Sequence, residues 1–336
     1  MKPAIAITVG DCNGIGPEVA LKAARRASVR TLCRPLLVGP AEVFLFYADR
    51  LKMPLHLVPF SPDAALGTAR RGTIPVIESS AFQTSAIRPG AVSSEAGRTA
   101  VQAIEAAVRY AKAGHVAAIV TAPVSKHALH LAGVRFPGQT EMLQSLTGSP
   151  SVAMMLVSKT LRVGLATIHL PLRDVPAALT RELLIERCTV IHDALRRDWR
   201  IKNPSLAVLG LNPHAGEHGH LGVEEEEMIR PVIETLRASG IDCEGPFPSD
   251  AFFARYRPGS FDAVIAMYHD QGLIPLKMTG AGKSVNFSAG LSVVRTSPDH
   301  GTAFDIAGKG TADASSMIEA IRLAVAVARN RSKSKR

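Results

Sequence analysis

Short, uninterrupted apolar runs alternate along this chain with longer stretches in which apolar residues return every three or four positions. The runs at 4–9 (AIAITV), 116–121 (VAAIVT), 161–168 (LRVGLATI), 205–211 (SLAVLGL) and 262–267 (DAVIAM) predict β-strands. Between them, Val101, Ile104, Val108 and Ala111 share one face of a helix over 95–113, with Ser93 and Ser94 as candidate caps and Gly114 as a stop. Leu184, Cys188, Ile191 and Leu195 repeat that logic over 181–199. A segment at 17–27 and another at 315–329 also read as helices, and Pro231 either kinks a helix over 223–238 or marks its true start. Strands and helices in alternation predict an α/β fold. Runs such as 116–121 and 205–211 carry no polar alternation, as expected of strands covered by helices on both faces. Chemistry is then expected in the loops at the C-terminal ends of the strands.

With 336 residues, 46% of them hydrophobic and 20% charged, the chain can build two lobes around a substantial core. No repeat or long linker separates them, so the lobes are expected to pack closely. No apolar run reaches the roughly 18 residues of a membrane span, and MKPAIAITVGD lacks the apolar core of a signal peptide, which predicts a cytoplasmic protein. Cys12, Cys33, Cys188 and Cys243 form no C-x-x-C pair, so buried, reduced thiols are expected instead of a disulfide framework or a zinc knuckle. The net charge of +10 suggests a polyanion partner until its placement is considered. Arg329, Arg331, Lys333, Lys335 and Arg336 supply five of those charges, which predicts a solvated basic tail on a mildly basic body. Aromatic residues make up 5% of the chain and form no strand motif, which argues further against nucleic-acid binding.

The first candidate for chemistry is TVGDCNGIGPE at 8–18, a strand followed by a glycine-rich turn and a helix start. It lacks both the Gly-Lys-Ser/Thr of a phosphate loop and the spacing of a dinucleotide loop, and is read as a tight turn. His169 (ATIHLPL), His214 (GLNPHAGE) and His269 (MYHDQG) each follow a predicted strand, and imidazoles at converging strand ends, with Asp270 nearby, could hold a divalent metal. Each of them singly could equally be a satisfied or surface residue. His218 and His220, in a glycine-rich stretch, read as exposed loop residues. Lys277, Lys283 and Arg295, with Asn286 among them, suit a carboxylate or phosphate. In DHGTAFDIAGKGTAD at 299–313, glycines around His300, Asp305 and Lys309 permit close approach of the backbone to a ligand. Neither G-x-S-x-G nor H-E-x-x-H occurs, which argues against serine hydrolase and zincin chemistry.

Taken in order, GIGPE, TAPVSKHAL, FPGQTEML, ATIHLPLRDV, LGLNPHAGEHGHLG, AMYHDQGLIPLK and RTSPDHGTAFDIAGKGTAD span residues 14–313. This series resembles the 4-hydroxythreonine-4-phosphate dehydrogenase family, and its last motif is similar to the cofactor-side loop of isopropylmalate and isocitrate dehydrogenases. The resemblance implies two α/β/α lobes with a cleft between them, a terminal lobe at 1–130 plus 295–336 and a central lobe at 131–294. It implies a divalent metal (zinc, cobalt, magnesium or similar) on His169, His214 and His269. NAD is implied at His300, Gly301, Thr302 and Asp305, and substrate at Thr140, Lys277, Asn286 and Arg295, with Lys277 also catalytic. A homodimer with a shared active site is implied as well, together with NAD-linked oxidation and decarboxylation of 4-hydroxythreonine 4-phosphate to 3-amino-2-oxopropyl phosphate in pyridoxal phosphate synthesis.

One position departs from the family pattern: a substrate-contacting histidine is replaced by Gln139 in Gly138-Gln139-Thr140-Glu141. Glutamine hydrogen-bonds but does not titrate near neutral pH, so a different acid, such as threonate or erythronate 4-phosphate or an aromatic dihydrodiol acid, is the alternative substrate. The opening GDCNGIGPE also differs from the family's usual loop. Outside enzymology, a noncatalytic anion-binding protein is the competing reading, but it gives the strand-end histidines no purpose.

Overall fold

Hydrophobic burial converts each of the expected apolar runs into a strand. The structure, a computed structural model, describes residues 2–61, 73–136, 138–280 and 283–334. It divides into two compact units, residues 1–148 with 291–329 and residues 149–290 with 330–336. The expected boundaries at 130 and 294 thus fall at 148 and 290. Helix Gln139–Thr147 packs on helix Ser94–Lys112, which draws the 131–148 segment into the first unit.

The first unit contains β1 (Ala4–Thr8), β2 (Arg34–Val38), β3 (His56–Pro59), β4 (Thr73–Ile77) and β5 (Ala118–Val120). The second contributes β6 (Ala153–Val157), β7 (Arg162–Leu165), β8 (Ser205–Leu209), β9 (Asp242–Phe247), β10 (Ala263–Ala266) and β11 (Val285–Ala289). The chain then returns to the first unit as β12 (Arg295–Pro298).

In the first unit the strands lie in the order β3-β4-β2-β1-β5-β12, and every pairing is parallel. β1 is buried along its whole length, as its unbroken apolar run requires. Helix Ser94–Lys112 begins where Ser93 accepts the Ala96 amide, so the expected cap is the one used. Residues 62–72 and 137 lie outside the described set, the latter within the FPGQTEML motif.

The second unit's order is β11-β6-β7-β10-β8-β9, antiparallel from β11 through β7 and parallel from β7 through β9. Its core gathers Leu156, Val163, Leu165, Leu209, Val264, Leu273 and Leu276. Helix Arg181–Asp198 buries Leu184, Cys188, Ile191 and Leu195, the stripe expected from the sequence. Each buried aliphatic side chain of that size contributes about 1.5–3 kcal/mol. Pro231 stands in the first turn of helix Arg230–Ala238, after a π-helical turn at Glu225–Ile229, so it marks a start.

The last helix runs from Ser315 to Ser334, past the expected end at 329. Its final turn is pinned. The carboxylate of Asp198, fully buried in the second unit, accepts hydrogen bonds from Arg331 at 2.6 and 3.0 Å and from Arg197 at 2.9 and 3.0 Å. The expectation of a solvated tail fails there because two guanidiniums are needed to offset one buried charge. Lys335 and Arg336 lie outside the described residues. No helix among the described residues is long and apolar enough to cross a membrane.

Candidate active site

Parallel pairing puts the histidines on one edge of the second unit. β7, β10 and β8 are consecutive neighbours, with Val264 opposite Val163 on one side and Ala207 on the other. Their C-terminal ends therefore emerge side by side, roughly 4.8 Å apart from strand to strand. His169 follows β7, and His269 follows β10 as the first residue of helix His269–Gly280. Their rings lie 5.8 Å apart between centroids, tilted by 39°. His269 Nδ1 donates to Asp270 Oδ1 at 2.7 Å, which leaves its Nε2 with a free lone pair for a metal or a substrate proton. The pair lines a cavity of about 400 Å³ together with Ile168, Leu170, Leu172, Val175, Tyr268 and Asp270.

His214 is placed differently. Beyond β8 the chain enters a turn in which His214, Ala215, Gly216, Glu217, His218 and Gly219 all have positive φ. Runs of left-handed backbone are disfavoured for L-residues, and here the surroundings enforce one. Glu225, fully buried, accepts the Asn212 backbone amide at 2.7 Å and Asn212 Nδ2 at 2.9 Å, and Glu224 accepts the same Nδ2 at 2.7 Å. A Cβ at Gly222 would stand 2.2 Å from Asn212 Nδ2, so only glycine fits. Among the described residues no group of three or more His, Cys, Asp or Glu side chains is close enough to hold a metal ion. Of the three imidazoles expected as ligands, the structure brings His169 and His269 together, while His214 lies in the turn that follows β8, the strand flanking β10. His218 and His220 are exposed. Nothing in the sequence marks this clamp, since the four consecutive glutamates Glu224 to Glu227 do not reveal which one is buried.

A buried cationic corner forms in the first unit. Arg295, at the start of β12, is buried and donates to Thr121 Oγ1 through Nε at 3.1 Å and Nη2 at 2.7 Å, and to Gln139 Oε1 at 3.2 Å. Burial pulls its pKa down to about 10, with Glu141 opposing the shift, so it stays charged at neutral pH. Gln139 Nε2 reaches Ala122 O at 3.5 Å, and Thr140 is buried beside it. Lys277 and Asn286 belong to the second unit. Lys277 is exposed on helix His269–Gly280, beyond Pro275, and Asn286 is half-buried on β11. Lys283 is exposed, and its neighbours Ala281 and Gly282 lie outside the described residues.

The loop after β12 is held against the first helix, Gly16–Arg25. Glu18, fully buried, accepts the amides of Gly310 and Ala312 at 3.3 and 3.0 Å, and Lys22 Nζ donates to Glu18 Oε1 at 2.7 Å and to the carbonyls of Gly310 and Ala312. Ile15 N donates to Thr302 O at 2.9 Å, and a Cβ at Gly14 would lie 2.9 Å from that same oxygen. The GIGPE segment therefore shapes the 299–313 loop. Within that loop Ala303 is left-handed at φ 41°, Gly301 and Asp305 are exposed, and the buried Nε2 of His300 has no hydrogen-bond partner among the described residues.

Comparison with known proteins adds a family. The model of the family described as pyridoxal phosphate biosynthetic protein PdxA matches residues 31–324. A D-threonate 4-phosphate dehydrogenase from Cupriavidus necator is 45% identical over 331 residues, covering 98% of each chain. A 4-hydroxythreonine-4-phosphate dehydrogenase from Trichlorobacter lovleyi is 41% identical over 332 residues, covering 98% of this chain and 99% of that one. The crystal structure of the 4-hydroxythreonine-4-phosphate dehydrogenase of Klebsiella pneumoniae superimposes with a TM-score of 0.87 at 40% identity, covering 98% of both chains.

Proposed function

Because the chain belongs to the PdxA family of pyridoxal phosphate biosynthetic proteins, we propose that it is a metal-dependent, NAD-linked dehydrogenase that oxidises and decarboxylates a phosphorylated hydroxy acid. The substrate that best fits is 4-hydroxythreonine 4-phosphate, converted to 3-amino-2-oxopropyl phosphate for pyridoxal phosphate synthesis. The observation that carries this reading is the pair His169 and His269, brought to 5.8 Å by parallel neighbouring strands in a chain whose relatives are named dehydrogenases. With His214, these residues would hold a divalent metal such as zinc, cobalt or magnesium, which when bound lowers the pKa of a substrate alcohol and withdraws electrons during loss of carbon dioxide.

The rest is the work of side chains. Arg295 anchors the anionic end of the substrate with a charge that does not titrate near neutrality, while Thr140, Gln139 and Asn286 offer hydrogen bonds that fix its orientation. Lys277 takes the proton from the oxygen of the substrate alcohol, and NAD, when bound, would supply the acceptor for the hydride of the carbon bearing that oxygen. The resulting β-keto acid loses carbon dioxide, the electrons of the broken C–C bond passing to the ketone. His300, Gly301, Thr302 and Asp305 would hold NAD, on a loop braced by Glu18 and Lys22. A homodimer completes the reading, supported by the side chains of Ile274 and Met278, 58% and 79% exposed on successive turns of one helix.

Threonate 4-phosphate is the second reading. It differs from 4-hydroxythreonine 4-phosphate in carrying a hydroxyl where the latter has an ammonium, and Gln139 can hydrogen-bond either group without a charge of its own. NADH formation by the metal-loaded protein, measured with each substrate and with an aromatic diol acid, tests the proposal. A chelator-sensitive rate with hydroxythreonine phosphate is expected. Preference for threonate phosphate would reassign the substrate, and silence with all three would refute the dehydrogenase reading.

A further inference from the structure

The C-terminal end of helix Arg181–Asp198 carries more positive charge than the fold uses. Beside it the second unit holds a cavity of about 490 Å³ lined by Asp193, Arg196, Arg197, Arg200, Ile201 and Lys202, four cations against one carboxylate. Arg197 pairs with the buried Asp198, which Arg331 also grips, so adding Asp198 and Arg331 leaves the positive surplus unchanged. Arg196, Arg200 and Lys202 are exposed and have no hydrogen-bond or ion-pair partner among the described residues. Cations at a helix C-terminus ordinarily complement the dipole, whose negative end amounts to about half a charge. Here that end is already closed by backbone, since the Leu195 carbonyl accepts the amides of Trp199 and Ile201, both at 3.2 Å. The dipole therefore accounts for one cation at most. Arg200 is also placed against the grain of the backbone: it stands at φ 59°, a left-handed position just past the helix end that glycine or asparagine normally fills. Being exposed, it gains no packing in return.

We propose that this hollow is an accessory binding site for a compact polyanion carrying two linked phosphates, held by Arg196, Arg200 and Lys202 with the help of Arg197. The surplus of charge sets the class. One phosphate group carries about 1.5 to 2 negative charges at neutral pH, so four cations facing one carboxylate match a diphosphate better than a single phosphate or a carboxylate. Guanidinium forks suit its oxygens, and lysine adds a mobile point charge. The cavity has the size of ordinary small-ligand pockets, which leaves room for a short organic group on the diphosphate. A single-stranded nucleic acid is the poorer fit, because its bases need aromatic faces to stack on and no aromatic residue lines the hollow. None of the lining residues belongs to the candidate active site, so this proposal stands apart from the dehydrogenase reading.

The test is calorimetric titration of the full chain with pyrophosphate in about 0.15 M salt, where diffuse surface attraction is largely screened. Saturable binding is expected, weakened about tenfold by Arg196→Ala and by Arg200→Gly, as suits the loss of one charge-assisted partner. Arg200→Gly also separates binding from folding, because glycine accepts the left-handed conformation. Without pyrophosphate its thermal midpoint is expected not to fall, while the rise that pyrophosphate gives the unsubstituted protein shrinks. Absence of binding, or equal affinity in both variants and the unsubstituted protein, would overturn the site. Affinity lost in Arg295→Lys but kept in Arg196→Ala and Arg200→Gly would place the anion at the buried corner of the first unit and overturn it as well. Binding of a single-stranded RNA oligomer with none of pyrophosphate would overturn the choice of a compact ligand.

Discussion

Replacing Asp11 by Asn should change how stability depends on pH. Asp11 lies in the turn after β1, fully buried, with Oδ1 accepting the Asn13 amide at 2.9 Å and Oδ2 buried without a partner among the described residues. Desolvation pushes its pKa up from 3.8 to about 6, against the lowering influence of the Asn13, Ser125 and Gly14 amides. Between those values the folded protein holds a proton that the unfolded chain releases. The carboxyl's contribution to stability is therefore fully present below pH 3.8 and lost as pH rises through about 6. A rise of this size amounts to about 3 kcal/mol over the whole window. Asparagine has no such dependence. It introduces a pH-independent offset of about 1–3 kcal/mol if its amide protons stay unpaired, but an offset does not alter the slope. Urea unfolding followed by circular dichroism, at pH values from about 4 to 7.5 spanning the two states, should show Asp11→Asn gaining relative stability as pH rises. A difference between the two proteins that stays flat across that range would refute the argument.

Three further outcomes follow from the geometry. Arg295→Lys keeps a positive charge but loses the forked contact with Thr121 and Gln139, so KM for a phosphorylated substrate should rise about tenfold, or 1.4 kcal/mol, in steady-state kinetics, with kcat less affected. Gly222→Ala forces a Cβ onto Asn212 Nδ2 at a positive φ and should destabilise the His214 turn by more than about 1 kcal/mol, read as a lowered thermal midpoint together with weaker cobalt binding. Arg331→Ala leaves the buried Asp198 carboxylate with Arg197 as its described cation and should cost about 1–3 kcal/mol in urea denaturation.

What could be read from the sequence was what depends on local pattern. Unbroken apolar runs located β1, β5, β7, β8 and β10, the Ser93 cap located a helix start, and the ordered motifs located the family. What escaped depends on which remote segments meet. Glu18, Glu225 and Gln271 carry no mark in the sequence to separate them from surface residues of the same kind, yet each is buried against backbone amides or carbonyls from another segment. The end of the last helix was misjudged for a similar reason, because Arg331 is held by an aspartate 133 positions away. Histidines at strand ends were visible as a recurrence. Only the order β7-β10-β8 reveals why His169 and His269 meet while His214 takes its place on the other flank.

The return of the chain to the first unit as β12 has a consequence for synthesis. β12 lies against β5 in parallel register, with Arg295 opposite Ile119, although some 170 residues of translation separate the two. A nascent chain that has emerged only as far as Gly148 still exposes the edge of β5, a row of backbone amides and carbonyls waiting for β12. The intervening segment, already continuous from residue 149 to 290, can close on itself first. The ribosome thus delivers the middle of the gene product in foldable form before the beginning, and the earliest strands made are among the last to be completed.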